Sequence, residues 1–112
     1  MIIVPDDILA LVQFKFSIGR KRLIGGSKVR WIVDARGMFC LLAHEKTDWS
    51  WPEIGRRFTT AKTHTTAFTA GKRMRRCIDN KTPIRVGDNK LPADQVYREL
   101  KSAIAYTFRA TT

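Results

Sequence analysis

Ser50-Trp51-Pro52-Glu53-Ile54-Gly55-Arg56-Arg57-Phe58, followed by the polar residues 59–62 and then by Thr63-His64-Thr65-Thr66-Ala67-Phe68, is the stretch that decides the fold. Ser50 and Glu53 have the S-x-x-E spacing of a capping box, in which the two residues satisfy each other's free backbone N–H groups at a helix start. Pro52 falls in the first turn, where a missing N–H costs little. A helix is therefore predicted from Ser50 to about Phe58. Thr63 can cap a second helix from His64 to about Ile78, with Ala67, Phe68, Met74 and Ile78 turned inward. Two helices joined by a tight turn, over about residues 50–78, have the outline of a helix-turn-helix.

Charge gives this helix pair its character. Between Arg56 and Arg76 lie Arg56, Arg57, Lys62, Lys72, Arg73, Arg75 and Arg76, with no Asp or Glu. The whole chain carries 21 Lys and Arg against 10 Asp and Glu, a net charge of +11, which calls for a polyanionic partner. In a helix-turn-helix the first residues of the second helix face base edges in the major groove, and the first helix crosses the phosphate backbone. His64, Thr65 and Thr66 occupy that leading edge. Their ring N–H, hydroxyl and methyl groups suit bases or phosphates, whereas Arg36, Arg56 and Lys62 suit phosphate oxygens. Short polar residues at a helix start also serve simply as caps, so this pattern alone does not separate the two roles.

Outward from the pair the chain is helical. Asp6 or Asp7 can cap a first helix with Ile8, Leu9, Leu11, Val12 and Phe16 on its apolar face, ending near Ser17. Residues 19–30 follow, with Arg20, Lys21, Arg22, Lys28 and Arg30, no acid, and two adjacent glycines, Gly25 and Gly26. A flexible, exposed cationic loop is predicted there. From about Trp31 to Lys46, Ile32, Ala35, Met38, Phe39 and Leu42 recur as one buried stripe, with Arg36 and His44 largely off it. Residues 81–90 contain Pro83, Gly87 and Asn89 around Ile84-Arg85-Val86 and are expected to form a loop with at most a short extended piece. Pro92 opens a last amphipathic helix, to about Phe108, with Val96, Leu100, Ala103, Ile104 and Phe108 on one face. Trp49 and Trp51 are expected to plug the core rather than stack on bases.

An all-α protein of about five to six helices, forming a single domain over residues 1–112, follows from these elements. With 44% hydrophobic residues it can bury a core. Cys40 and Cys77 match neither a disulfide framework nor a zinc-ligand spacing and are expected to be reduced structural thiols. The first residues have neither the basic start nor the apolar run of a signal peptide, and no apolar stretch reaches spanning length, so a cytoplasmic, nucleoid-associated protein with no membrane partner is expected. His44 and His64 lie on different elements, no paired carboxylates line a helix face, and no Ser or Cys has an evident His partner. No catalytic residue, metal site or cofactor is predicted.

Trp51-Pro52-Glu53-Ile54-Gly55-Arg56-Arg57-Phe58 followed by His64-Thr65-Thr66 resembles the L-P-E-I-G-x-x-F and D-H-T-T segments of the C-terminal DNA-binding domain of the bacterial replication initiator DnaA. Phe16, Ile18, Leu23-Ile24, Arg36, Glu45 and Thr47 also stand where that family has similar residues, and Pro92 to Phe108 resembles its closing helix. The resemblance implies a DnaA C-terminal, Trp-repressor-like fold. It places Lys28 where the family has the loop arginine that enters the minor groove, and Arg36, Pro52, His64, Thr65 and Thr66 where it makes major-groove or backbone contacts. The expected DNA-binding set is thus Lys28, Arg30, Arg36, Pro52, Arg56, Lys62, Thr63, His64, Thr65, Thr66 and Lys72.

This sequence departs from the family pattern at Thr63, where the family has Asp, at Lys28 for Arg and at His44 for Lys, and its turn is one residue longer. A site preference different from that of DnaA boxes is expected, because Lys lies less flat in a narrow groove and the missing Asp could accept from a base amino group. There is no G-x-x-x-x-G-K-[ST] loop, so no ATPase activity is expected. The implied function is sequence-specific binding of double-stranded DNA that regulates replication initiation or transcription, in a stand-alone copy of the kind a phage or mobile element encodes. The alternative is a protein-interaction regulator of the initiation machinery that keeps the fold and uses the last helix or residues 81–90.

Overall fold

The structure, a computed structural model, describes residues 5–25, 29–56 and 64–109, with the side chains of 64–66 and 107–109 outside the description. Among these residues six helices and one strand pair follow in the order α1 (Pro5–Phe16), α2 (Arg20–Ile24), α3 (Arg30–Lys46), α4 (Trp51–Gly55), α5 (His64–Asp79), β1 (Pro83–Val86), β2 (Asn89–Pro92) and α6 (Ala93–Arg109). The all-α helix-turn-helix class is as expected, with a small hairpin added.

α3 is the central element. Its predicted stripe of Ile32, Ala35, Met38, Phe39 and Leu42 is fully buried, but so are Gly37, Cys40, Leu41 and Ala43. A helix buried all round is a core helix rather than a surface one, and α1, α2, α4, α5 and β1 all pack against it. At Gly37 a Cβ would sit 3.0 Å from the Ala70 carbonyl oxygen and 3.3 Å from Met74 Cβ, so the absent side chain sets how closely α3 and α5 approach.

α1 starts two residues earlier than a cap at Asp6 implies. Pro5 occupies the first helical position, which has no N–H bond to lose, and Asp6 and Asp7 lie inside the first turn, where the helix dipole favours carboxylates. Its end is set by Ser17 in the left-handed region, at φ 58°, with Ile18 N–H donating to the Gln13 carbonyl at 3.1 Å. That six-to-one bond is the Schellman closure, and the buried Ile18 supplies its apolar contact.

The predicted cationic loop is partly a helix. α2 forms because Leu23 is completely buried, an anchor that outweighs the cost of ordering its charged neighbours, and Gly19 and Gly25 bracket it in extended conformations. Arg20 pairs with Asp6 of α1 at 3.7 Å. Only beyond Gly25 does the loop expectation stand, and residues 26–28 lie outside the described residues.

α5 ends in the same manner as α1. Lys81 takes φ 54°, Lys81 N–H donates to the Ile78 carbonyl and Thr82 N–H to the Cys77 carbonyl at 2.9 Å. The chain then enters a hairpin where a loop was expected. β1 and β2 pair antiparallel, Pro83 opposite Pro92 and Ile84 opposite Leu91. The turn residue Gly87 has φ 62°, the conformation that a type II′ hairpin turn requires at its first position. Ile84 and Val86 are buried, and Ala93 N–H closes the base on the Thr82 carbonyl at 2.8 Å. Pro92 is therefore the last strand residue, and α6 begins at Ala93. Val96, Leu100 and Ile104 are buried as predicted, together with Ala93 and Tyr97, while Ala103 is half-buried. Cys40 and Cys77 are both buried and free, and burial pushes the Cys40 thiol well above its usual value. No helix among the described residues is long and apolar enough to cross a membrane, and none of their His, Cys, Asp and Glu side chains form a group able to hold a metal ion.

Candidate nucleic-acid interface

The capping box forms as the spacing predicts. Ser50 Oγ accepts from Glu53 N–H at 3.4 Å, and Ser50 N–H donates to Glu53 Oε1 at 3.2 Å. α4 is shorter than predicted, ending at Gly55 with Arg56 as its C-cap, and Ile54 drives it into the core with no exposure. Residues 57–63, with Lys62 and Thr63 among them, lie outside the described residues, as does Lys28.

Trp51 sets the relation of α4 to its neighbours. Its ring stacks on His44 of α3, with centroids 3.9 Å apart and planes 7° from parallel, and meets the edge of Phe68 of α5 at 5.7 Å. Opposite it is Gly71, where a Cβ would stand 2.7 Å from Trp51 Cη2. This junction corrects one expectation: Phe68 is 39% exposed rather than inward, because Trp51 fills the space its ring would have taken. Trp49 packs partly buried against the core, and Trp51 likewise, as expected.

α5 starts at His64, so His64, Thr65 and Thr66 are its first three residues. Further along, Thr69, Lys72 and Arg76 are exposed and recur three or four apart, a row on the outer side of the helix. Lys72 Nζ lies 5.0 Å from the Phe68 ring centroid, a cation–π contact that places the ammonium beside the α4–α5 junction. Thr69 and Arg76 were not among the predicted site residues. The recurrence of polar residues opposite Ala67, Gly71, Met74 and Ile78 is the signal that marks them.

The positive field of this helix is not uniform, because α3 brings two acids to it. Arg75 pairs with Glu45, which also accepts from the Tyr97 hydroxyl. Arg75 further donates to the Tyr97 hydroxyl at 3.4 Å. These contacts hold the Arg75 guanidinium above its usual value, the bond to Tyr97 first among the causes. Asp34 is buried at 4% exposure, and its Oδ1 lies 3.4 Å from Arg73 and 3.5 Å from Arg30 at the head of α3. One carboxylate oxygen thus draws together a cation of the second helix of the pair and the cation that follows the basic stretch. Arg30 remains largely exposed beyond that contact.

Burial raises the Asp34 carboxyl above the usual carboxylate range, against the opposing pull of Arg30 and Arg73. A raised folded-state value means that the native state binds this proton more tightly than the unfolded chain does. The associated stability is full below the ordinary aspartate range, near about pH 4, and is lost as pH rises through the raised value. Asp34→Asn is therefore expected to remove a descending limb from the stability profile just above that pH. Thermal melts of both proteins across the acidic range check this, and parallel profiles would show that Asp34 does not titrate as stated.

Arg36 differs from the expectation of a phosphate-directed side chain in its surroundings. It is half-buried, its Nε donates to the Leu23 carbonyl at 2.9 Å, and burial lowers its value. It ties α2 to α3. Pro52 is half-buried in the first turn of α4, and Arg56 is exposed at its end. The structure therefore brings Arg30, Lys72 and Arg56 to exposed positions on or beside the helix pair, and directs at least one nitrogen of Arg36 inward.

Against this geometry stand the comparisons with known proteins. The family described as bacterial dnaA protein helix-turn-helix matches residues 5–74, that is, α1 through most of α5. The chain is 31% identical over 94 residues to the chromosomal replication initiator protein DnaA of Corynebacterium jeikeium, covering 84% of this chain and 15% of that protein. It is 36% identical over 73 residues to the protein of the same name from Cutibacterium acnes, covering 65% and 14% respectively. With that of Rhizobium johnstonii it shares 32% identity over 79 residues, covering 70% and 16%. The chain thus spans about 15% of the length of the curated relatives it matches. No solved structure gives a significant match. A match that covers the capping box, the Trp51 junction and the start of α5 settles the kinship: the chain belongs to the bacterial DnaA helix-turn-helix family.

Proposed function

We propose that residues 1–112 act as one DNA-binding unit that recognises a specific duplex sequence through α4 and α5 and regulates replication initiation or transcription without hydrolysing ATP. The observation that carries this reading is the family match over α1 to α5, which coincides with the exposed row Thr69, Lys72 and Arg76 and with the net charge of +11. In this reading α5 enters the major groove with His64, Thr65 and Thr66 leading, and Thr63 at its cap. Lys62, Arg56, Pro52 and Lys72 meet the backbone on either side of the groove. Lys28 enters the adjacent minor groove, with Arg30 behind it and Arg36 holding α2 in place. A site in the nucleoid, within the cytoplasm, fits this role.

Selection of random duplexes on the purified protein at about physiological salt tests the proposal, since counterion competition there suppresses purely electrostatic binding. An enriched motif is the expected result, and salt-sensitive binding with no enrichment would overturn sequence specificity. Lys28→Ala is expected to weaken binding on every sequence and to reduce the salt slope by about 0.9, the effect of removing one phosphate interaction. An unchanged slope would place Lys28 away from the backbone.

A second reading, a regulator that binds initiation proteins, is favoured by one observation: Tyr106 on α6 is 77% exposed and Phe14 on α1 is 88% exposed. Recovery of initiator proteins by the purified chain after nuclease treatment, abolished in Tyr106→Ala, would support it.

A further inference from the structure

The hairpin lies beyond the residues that the family match covers, and its exposed face is cationic. Arg85 and Lys90 stand directly opposite each other in the antiparallel register, so both side chains leave the same face, while Ile84 and Val86 turn to the core. Like charges directly opposite in a sheet are destabilising. Among the described residues neither Arg85 nor Lys90 makes an ion pair that would offset that repulsion. An external anion bound between them would turn that repulsion into a favourable contact.

The surroundings of the hairpin favour an extended polyanion. Arg85 is fixed twice: its Nε donates to the Gly87 carbonyl at 3.0 Å, and its guanidinium lies 4.7 Å from the centroid of Trp31. Arg22 of α2 lies 5.6 Å from the same ring, so one indole gathers a cation from α2 and one from the hairpin. A hollow of about 290 Å³ opens between the hairpin and the head of α3, lined by Arg30, Trp31, Asp34, Arg85 and Lys90 among others. Asp34 is the acid in that lining, and its oxygen is already engaged by Arg30 and Arg73. Guanidinium groups held in advance by an aromatic ring lose less freedom on meeting a phosphate than free side chains do. Val29 borders the hollow and directly follows the basic residues that end at Lys28.

From this arrangement we infer that the β1–β2 hairpin is a second DNA contact, in which Arg85 and Lys90, aligned with Arg22 and Arg30, grip duplex phosphates flanking the sequence read by α5. The inference rests on the DNA-binding reading and adds a contact outside the residues 5–74 that the family match covers.

The test compares the full chain with Arg85→Ala/Lys90→Ala on a duplex carrying the selected motif with long flanks and on one trimmed to the motif. On the long duplex the double variant is expected to keep the motif preference, to lose flank protection in a hydroxyl-radical footprint, and to show a salt slope smaller by up to about 1.8, two phosphates at 0.9 each. On the trimmed duplex the two proteins are expected to behave alike. Lys90→Ala alone, at an exposed position that leaves the Arg85 bond to the turn intact, should give about half the change in slope. Equal slopes and footprints on the long duplex would overturn the hairpin contact while leaving DNA binding standing. Failure of the unaltered chain to shift any duplex at low salt would overturn both.

Discussion

Gly71→Val is expected to lower the unfolding free energy by about 1–3 kcal/mol, the usual range for overpacking a close-packed interior. Any side chain at 71 starts with a Cβ 2.7 Å from Trp51 Cη2 and 2.9 Å from Cζ3, distances that atoms do not tolerate. Withdrawing Trp51 would break its stack on His44 and its edge contact with Phe68. The helix cannot easily shift either, because the backbone nitrogen of Leu41 lies 3.7 Å from the same point. Alanine would recover about 0.8–1.0 kcal/mol of helix propensity and blur the result, whereas valine, stiff at χ1, gains less. Trp51 is the first residue of α4, so moving its ring tilts the first helix of the pair against the second, and DNA affinity should fall with stability. Urea titration measures the first effect. The double variant Trp51→Leu/Gly71→Val supplies the control: relief of the clash should make it less unstable than the sum of the single changes by about 0.5–3 kcal/mol. Additive losses would mean that the ring and the glycine do not constrain each other.

The same junction shows what the sequence could and could not convey. Ser50, Pro52 and Glu53 specify a helix start by chemistry local to four residues, and the capping box formed where they stand. Ala67, Met74 and Ile78 were legible for a similar reason, since period alone marks a helix face. Phe68 was not, because its exposure depends on Trp51, seventeen residues upstream and on another helix. Charge misled in a related way. Residues 56–76 contain no acid, yet Asp34 and Glu45 of α3 reach Arg73 and Arg75 across the α3–α5 interface, and a window along the chain contains no sign of such a crossing.

Two shorter elements escaped for different reasons. Leu23 and Ile24 among five cations resemble a solvated link, and only the full burial of Leu23 under α3 explains why the chain coils there. The hairpin did carry a local signal. Gly87-Asp88 between Ile84-Arg85-Val86 and Asn89-Lys90-Leu91 is a two-residue turn of the kind that joins antiparallel strands, and prolines at both strand ends mask it with a loop-like composition. Arg85 and Lys90 consequently entered the binding surface only through the register of that pairing. Side chains meant for bases are the hardest to recognise from sequence, since a threonine that reads thymine and a threonine that caps a helix look alike.

Thr66→Ala separates those two roles. Thr66 is the third residue of α5, within the first turn that a helix-turn-helix presents to the major groove. If its hydroxyl or methyl group reads a base, removing them should cost about 1–3 kcal/mol on the preferred site, roughly a 5- to 150-fold loss of affinity. The loss should be confined to one base position, where the variant becomes tolerant. If Thr66 serves the helix start alone, stability should change by less than about 0.7 kcal/mol, and any change in affinity should fall equally on every sequence. Lys62→Ala provides the opposite pattern for comparison. Without the Lys62 ammonium against a phosphate, all duplexes should bind more weakly alike and the salt slope should fall by about 0.9, with the base preference untouched. Binding of each variant to the selected motif and to its single-base substitutions, at two salt concentrations, resolves the cases. A Thr66→Ala protein with unaltered discrimination would remove this residue from the base-reading set and leave His64 and Thr65 to carry it.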